Sequence, residues 1–287
     1  MSSVKTPGEM PPVREFGWPL KSTESSYFDI AKRDNGQFTV VLNHALLRGV
    51  NSQMLTWWFR HFTELRVTLE DVPGFEGKTV PAYQLWHPSD HLSAVLEGRT
   101  DRDGAPIAGE TTIHIQEAMQ YLKYGWRFPV DAKLSVFYIG DDGWAMGRRV
   151  PLLGPVMMLR IHFKDVTHDE RHVGVHYHYE VVIGTSGTDP LSRFLNSRIT
   201  ADYGPEFFSA WHNHNVIEVG VFENFLPALY HQRDKAPTLR FARSMGKQPD
   251  SKQQTGFDRK LFYRRVLELS RAKNPYNTQR ANDKTFL

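Results

Sequence analysis

The sequence contains no cysteine. That absence excludes disulfides, thiolate metal sites and a cysteine nucleophile together. Any metal would have to be held by His, Asp or Glu, and thirteen histidines supply candidates. Long apolar runs are also missing. None approaches the roughly 18 residues of a membrane span, and the opening MSSVKTPGEMPPVREFGWPL has no apolar segment of the kind a secretory leader needs. A cytoplasmic, soluble protein without membrane partners is expected. No internal repeat and no low-complexity linker divides the chain.

What is present belongs to a folded protein. Across 287 residues, 40% are hydrophobic, 23% charged and 13% aromatic, more rings than a structureless chain carries. The net charge of +3 is mild. The basic stretches HQRDKAPTLRFARSMGKQ and DRKLFYRRVLELSRAKNP fall near the end and match no nucleic-acid module, so a solvated surface is expected rather than a nucleic-acid partner. The reading is an N-terminal arm over 1–25, wrapping the surface or mobile, and a single domain over 26–287 whose basic extension begins at about 233. The mixture of aromatics and charge is also compatible with a homodimer.

Periodicity assigns the elements. In GVNSQMLTWWFRHF, Asn51 or Ser52 can cap a helix carrying Met54, Leu55, Trp58 and Phe62 at helical spacing. Six β-branched and aromatic runs follow: VPAYQLWHP, ETTIHIQEAMQ, AKLSVFYIGD, GWAMGRRV, PVMMLRIHFKDV and HVGVHYHYEVVIGT. Turn residues separate them, which predicts an antiparallel meander with a hairpin near VTHDER. GPEFFSAWHNHNVIEVGVFENFLPALYHQ then reads as a long helix, weakened or kinked by Gly220 and Pro227. A last helix is expected over 258–272. Strands followed by a long helix make an α+β protein with the helix across one sheet face.

Three stretches carry chemistry. In WHNHNVIEVG, His214 and Glu218 stand four apart, so a helix raises both from one face toward a shared ion. Alone, that spacing is common on helix surfaces. YQLWHPSDH gathers His87, Asp90 and His91 beside Tyr83 and Trp86 where a strand meets a turn, although a Pro turn capped by Asp90 explains it equally. In TTIHIQEAMQ, alternation places Glu117 on the apolar face of Ile113 and Ile115, where a carboxylate needs a metal or a salt bridge.

Together with GVNSQMLTWWF and HNHNVIEVGVFENFLP, these stretches resemble the zinc-dependent carbon–carbon hydrolases that act on diacetylphloroglucinol and phloretin. The resemblance spans roughly residues 45–230. It implies a helix-grip, Bet v 1-like fold, with an antiparallel sheet around a long C-terminal helix and an aromatic-lined cavity. It implies Zn2+ held by two His and two Glu: His214, Glu218, Glu117 and His91, with His87 or Glu110 left open as alternatives. It assigns Tyr83 and Tyr177 to substrate binding and His162 to the catalytic acid, and it makes the substrate a phenolic ketone cleaved to a phenol and a carboxylic acid. The residues alone add a reservation. In an antiparallel hairpin Arg160 and His162 group with His176 and His178, so His162 and Tyr177 would need a bulge to share a face. A cavity protein that carries apolar ligands without chemistry, or another enzyme of secondary metabolism, is the rival reading.

Overall fold

Two short strands open the fold, β1 (Tyr27–Lys32) and β2 (Phe38–Asn43), followed by the two-residue β3 (Leu47–Arg48). The computed structural model describes residues 7–151, 154–234 and 238–246. Helix α1 (Ser52–His61) starts where expected. Asn51 caps it, its side-chain oxygen accepting the Met54 amide at 2.9 Å, and Leu55, Trp58 and Phe59 are buried. Then come β4 (Arg66–Leu69), β5 (Thr79–Pro81) and a single turn of helix, α2 (Tyr83–Trp86).

The expected strand over VPAYQLWHP is therefore cut short: Val80 and Pro81 end β5, and Tyr83–Trp86 form α2. Tyr83, Leu85 and Trp86 are all buried, three side chains of four, whereas alternation in a one-faced strand would bury every second one. Short apolar runs do not distinguish the two by pattern. The meander begins instead at β6 (His91–Thr100) and continues through β7 (Pro106–Ala118), the short helix α3 (Tyr121–Tyr124), β8 (Pro129–Gly140), β9 (Gly143–Val150), β10 (Gly154–His168) and β11 (Arg171–Ile183). Each strand pairs antiparallel with the next. β2 returns to pair with β11, which gives a nine-stranded sheet in the order β1-β2-β11-β10-β9-β8-β7-β6 with β3 also on β11. The β10–β11 hairpin turns at Asp169 and Glu170, both with positive φ, the backbone twist that suits a two-residue hairpin loop.

Helices α4 (Pro190–Ile199), α5 (Pro205–Gly220) and α6 (Phe222–Tyr230) follow. The single long helix expected over 204–232 is divided at Val221. Gly220 packs against Lys21, so close that a Cβ would meet its side chain at 3.1 Å. Pro227, inside α6, offers no N–H to the Glu223 carbonyl. α5 lies on one face of the large sheet, with Phe208 against Phe38 at 5.3 Å and Trp211 against Tyr179 at 5.2 Å.

β12 (Thr238–Phe241) pairs in parallel with β4 and completes a three-stranded sheet with β5. Leu239 and Phe241 are buried, so the chain just past 233 belongs to the fold rather than to an extension. The expected helix over 258–272 lies outside the described residues. The N-terminal arm is anchored: Met10, Arg14 and Phe16 are buried, and Phe16 stacks on Trp18 at 4.0 Å. All described residues fall in one compact unit. Among them, no helix is long and apolar enough to cross a membrane.

Candidate metal centre

Four side chains from three elements converge where α5 meets the sheet. His91 opens β6, and the register sets it opposite Glu117 on β7. His214 and Glu218 rise from one face of α5. His91 Nε2 lies 3.4 Å from both Glu117 Oε2 and Glu218 Oε2, and His214 Nε2 lies 3.9 and 3.6 Å from the same two oxygens. These separations are too long for hydrogen bonds. Ligands held tetrahedrally at about 2.0–2.2 Å would stand roughly 3.3–3.6 Å apart; donor atoms of His91, Glu117 and His214 all lie within 4.8 Å of one another and could hold a metal ion, with Glu218 beside both histidines. His91 Nε2 is buried and has no hydrogen-bond partner among the described residues. Two imidazole nitrogens and two carboxylate oxygens form a borderline donor set that zinc accepts readily.

The far side of each ligand is held. His91 Nδ1 is 2.9 Å from the Tyr83 carbonyl, and His214 Nδ1 is 2.9 Å from Asp90 Oδ2. Each ring nitrogen facing away from the cluster thus has an acceptor, which leaves Nε2 of both rings free of its proton in the neutral tautomer. Tyr83 donates its hydroxyl to Glu117 Oε2 at 2.5 Å and stacks on the His91 ring at 4.0 Å. With the Asn215 amide oriented to satisfy both neighbours, it accepts from Trp211 Nε1 and donates to Glu218 Oε1, each at 3.1 Å.

Charge follows this geometry. Burial opposes ionisation of Glu218, yet the imidazoles of His214 and His91 that face it outweigh burial and hold the carboxyl at about 2. Burial likewise disfavours a charged His214, but Asp90, Glu218 and Glu117 push it well above the ordinary histidine value. The two glutamates make the centre one that favours positive charge. Asp90 is held far below the carboxylate range: burial acts against this, and His87, His214 and Ser89 overcome it.

Asp90 also accepts from the backbone amides of Gln120 and Tyr121 and from Ser89 Oγ. Arg14, fully buried, donates to the carbonyls of Gln84, His87 and Pro12 and so ties the N-terminal arm to α2 and the loop behind the cluster. Arginine in a Pro-rich arm gave no signal of this role.

The remaining candidates separate. His87 is turned toward the loop; its Nδ1 accepts from the amides of Ser89 and Asp90, and its ring stacks on His214 at 4.7 Å. Glu110 pairs with Arg99 on the surface. His91 is thus the histidine that stands with the two glutamates and His214.

His162 is not brought to the cluster. It pairs across the hairpin with His178, while Tyr177 is opposite Phe163. The ladder does carry a bulge, but at Val166/Thr167 beside the turn, too near the end to rotate His162 onto the face of Tyr177. Its surroundings are Asp142, Glu180 and Arg160. Tyr177 is buried, and its hydroxyl has no hydrogen-bond partner among the described residues.

A pocket of about 600 Å³ extends from the cluster between the sheet and α5. Phe62, Tyr83, Trp86 and Trp144 line it near the four donors, and aliphatic side chains of β8–β11 line it further out. Tyr179 lines this pocket and Tyr177 does not. Burial and the charges of Glu218 and Glu117 raise the Tyr179 phenol well above its ordinary value. The two tyrosines share a strand face at i and i+2, so sequence alternation marks both without choosing between them.

No family model matches the chain, and no curated protein matches it. Among solved structures, protein Ms6760 from Mycobacterium smegmatis is 11% identical with a TM-score of 0.33, over 71% of this chain and 97% of that one. Human STARD10 is 12% identical with a TM-score of 0.30, over 83% of this chain and 90% of that one. Likenesses this distant assign neither fold family nor function.

Proposed function

We propose that this chain is a zinc-dependent hydrolase that cleaves the aryl–acyl carbon–carbon bond of an acylated polyphenol, on a scaffold of the helix-grip type. The observation that carries the reading is the convergence of His91, Glu117, His214 and Glu218, each histidine Nε2 lying 3.4–3.9 Å from the two carboxylates, at the ring-lined end of the pocket. The wrapping of β2 and β6–β11 about α5 supports the scaffold.

In this reading His91, Glu117, His214 and Glu218 hold the ion. When bound, zinc supplies a Lewis acid and lowers the pKa of water toward about 7. The protein's own residues do the rest. Trp86, Trp144 and Phe62 offer ring faces to an aromatic substrate and exclude bulk water. Tyr83 donates a hydrogen bond to Glu117, fixing that carboxylate while its ring borders the substrate. Tyr179, kept protonated, donates to a ring hydroxyl or to the ring carbon. In the net reaction one water is consumed. Its oxygen ends on the acyl carbon as a carboxylic acid, the carbon–carbon bond breaks, and the ring carbon takes a proton to become the free phenol. That Tyr179 lines the pocket while His162 does not supports a phenol rather than an imidazole as the donor in this reading.

Metal content and acid release test this together. Purified chain should carry about one zinc, lost in His214→Ala and Glu218→Ala, and only the zinc form should release carboxylic acid from acyl phloroglucinols. Chelator-free wild type without metal, or normal turnover by His214→Ala, would overturn it.

A further inference from the structure

The pocket is larger than the ring it would grip. At about 600 Å³ it falls in the roughly 300–1,000 Å³ range of sites that bury a whole drug-sized molecule, well beyond one phenol ring with an acetyl group. Its chemistry also changes along its length. Tyr83, Trp86 and Trp144 occupy one end with Glu117, His214 and Glu218. From there the pocket follows α5 toward the N-terminus of that helix, from His214 to Phe207, a helical distance of about 10 Å. The outer walls are mainly apolar, with Met157 on β10, Val181 and Ile183 on β11 and Phe207 and Phe208 on α5, and Asp131, Arg148 and Tyr203 are polar members of the lining. Across from them, α4 turns Leu195 and Ile199 into the pocket. These two stand four apart and therefore share one helix face, while Leu191 and Phe194 of the same helix are exposed.

We infer that the substrate carries an unbranched apolar chain of medium length, seated between β10–β11 and the Leu195–Ile199 face of α4. This rests on the proposed hydrolase reading and names the substrate class within it: phenols acylated with a butanoyl to octanoyl chain rather than acetyl. A mainly apolar channel rewards each methylene it removes from water.

The test uses full-length zinc-loaded protein and alkyl phenols, which lack the scissile bond, in the series ethyl, butyl, hexyl, octyl and decyl. Affinity is read by titration calorimetry, and zinc stoichiometry is measured on the same samples. Wild type should bind about two- to fourfold tighter per methylene up to hexyl or octyl and then level off. Ile199→Trp should level off at butyl with ethyl affinity and zinc stoichiometry unchanged. Leu195→Ala should move the plateau outward, which serves if the tryptophan variant does not fold. Affinity that is flat from ethyl to octyl, or a series untouched by both variants, overturns the inference. Zinc present with a flat series overturns this inference alone. A chain-length trend without zinc overturns the hydrolase and leaves the chain-binding channel standing.

Discussion

Asp90→Asn isolates what the residues behind the metal ligands contribute. The substitution keeps size and shape and removes the charge. Asp90 Oδ2 faces both His214 Nδ1 and the Gln120 amide, and Oδ1 faces Ser89 Oγ and the Tyr121 amide. An asparagine can place its oxygen on one side only. With the oxygen toward Tyr121, its NH2 meets His214, and the imidazole must shift its proton to Nε2, the nitrogen that would bind the ion. With the oxygen toward His214, the NH2 opposes the Tyr121 amide and leaves a buried donor unpaired, at about 1–3 kcal/mol. Loss of such an outer partner lowers metal affinity about 10–100-fold, equivalent to roughly 1.4–2.7 kcal/mol. The measurement is a zinc competition titration against a chromophoric chelator, with stability of the metal-free protein from urea melts to separate weakened folding from weakened binding. Zinc affinity within twofold of wild type, in a variant that folds normally, would refute the claim that Asp90 sets the His214 tautomer.

Other consequences follow from the same geometry. Tyr179→Phe should lower kcat about 100-fold or more if the phenol transfers the proton, whereas His162→Gln should leave turnover within about twofold of wild type; steady-state kinetics with an acyl phloroglucinol decides, and the reverse pattern would return the acid role to His162. Arg14→Met should cost roughly 2–3 kcal/mol in urea unfolding, because it strips the donors from three carbonyls; a loss below about 0.5 kcal/mol would mean that the arm is not an anchor. His162 and His178 both have lowered values. Burial is the main cause, opposed for His162 by Asp142 and Glu180 and for His178 by Glu180. Below about 6.5 the unfolded chain therefore binds protons that the folded state resists, so their contribution to stability is complete above that pH and lost as pH falls through the folded values, by at most ~1.4 kcal/mol per pH unit per histidine. The double variant His162→Gln/His178→Gln should flatten stability between pH 6.5 and 5, because the slope follows about one proton per site, and an unchanged slope would discount these two groups.

What was legible in the sequence was what depends on period. The cap at Asn51, the hairpin near Asp169–Glu170, the i, i+4 pair on α5 and the inward face of β7 with Glu117 are all local patterns, and each is found in the fold. The errors arise where tertiary burial overrides local pattern. The α2 turn reads as strand because Tyr83, Leu85 and Trp86 form a short apolar run whose burial on all sides only the packed structure reveals. β12 is hidden in a basic stretch because its pairing partner, β4, lies far earlier in the chain.

The same limit governs the site. Spacing could propose His91 and His87 but not choose between them, because the choice rests on which way each ring turns at the α2–β6 junction. There the amides of Ser89 and Asp90 claim His87 Nδ1 and the Tyr83 carbonyl takes His91 Nδ1. The junction in turn is held by Arg14, more than seventy residues earlier in the chain. Alternation was more informative where it argued against the resemblance. The ladder pairs His162 with His178, as a hairpin turning near Asp169 requires, and the bulge needed to move His162 beside Tyr177 is displaced to the turn. Strand register therefore outranks sequence spacing in deciding which side chain reaches the pocket. Register leaves Tyr177 and Tyr179 on one face, and position along β11 decides that the phenol of Tyr179 lines the pocket.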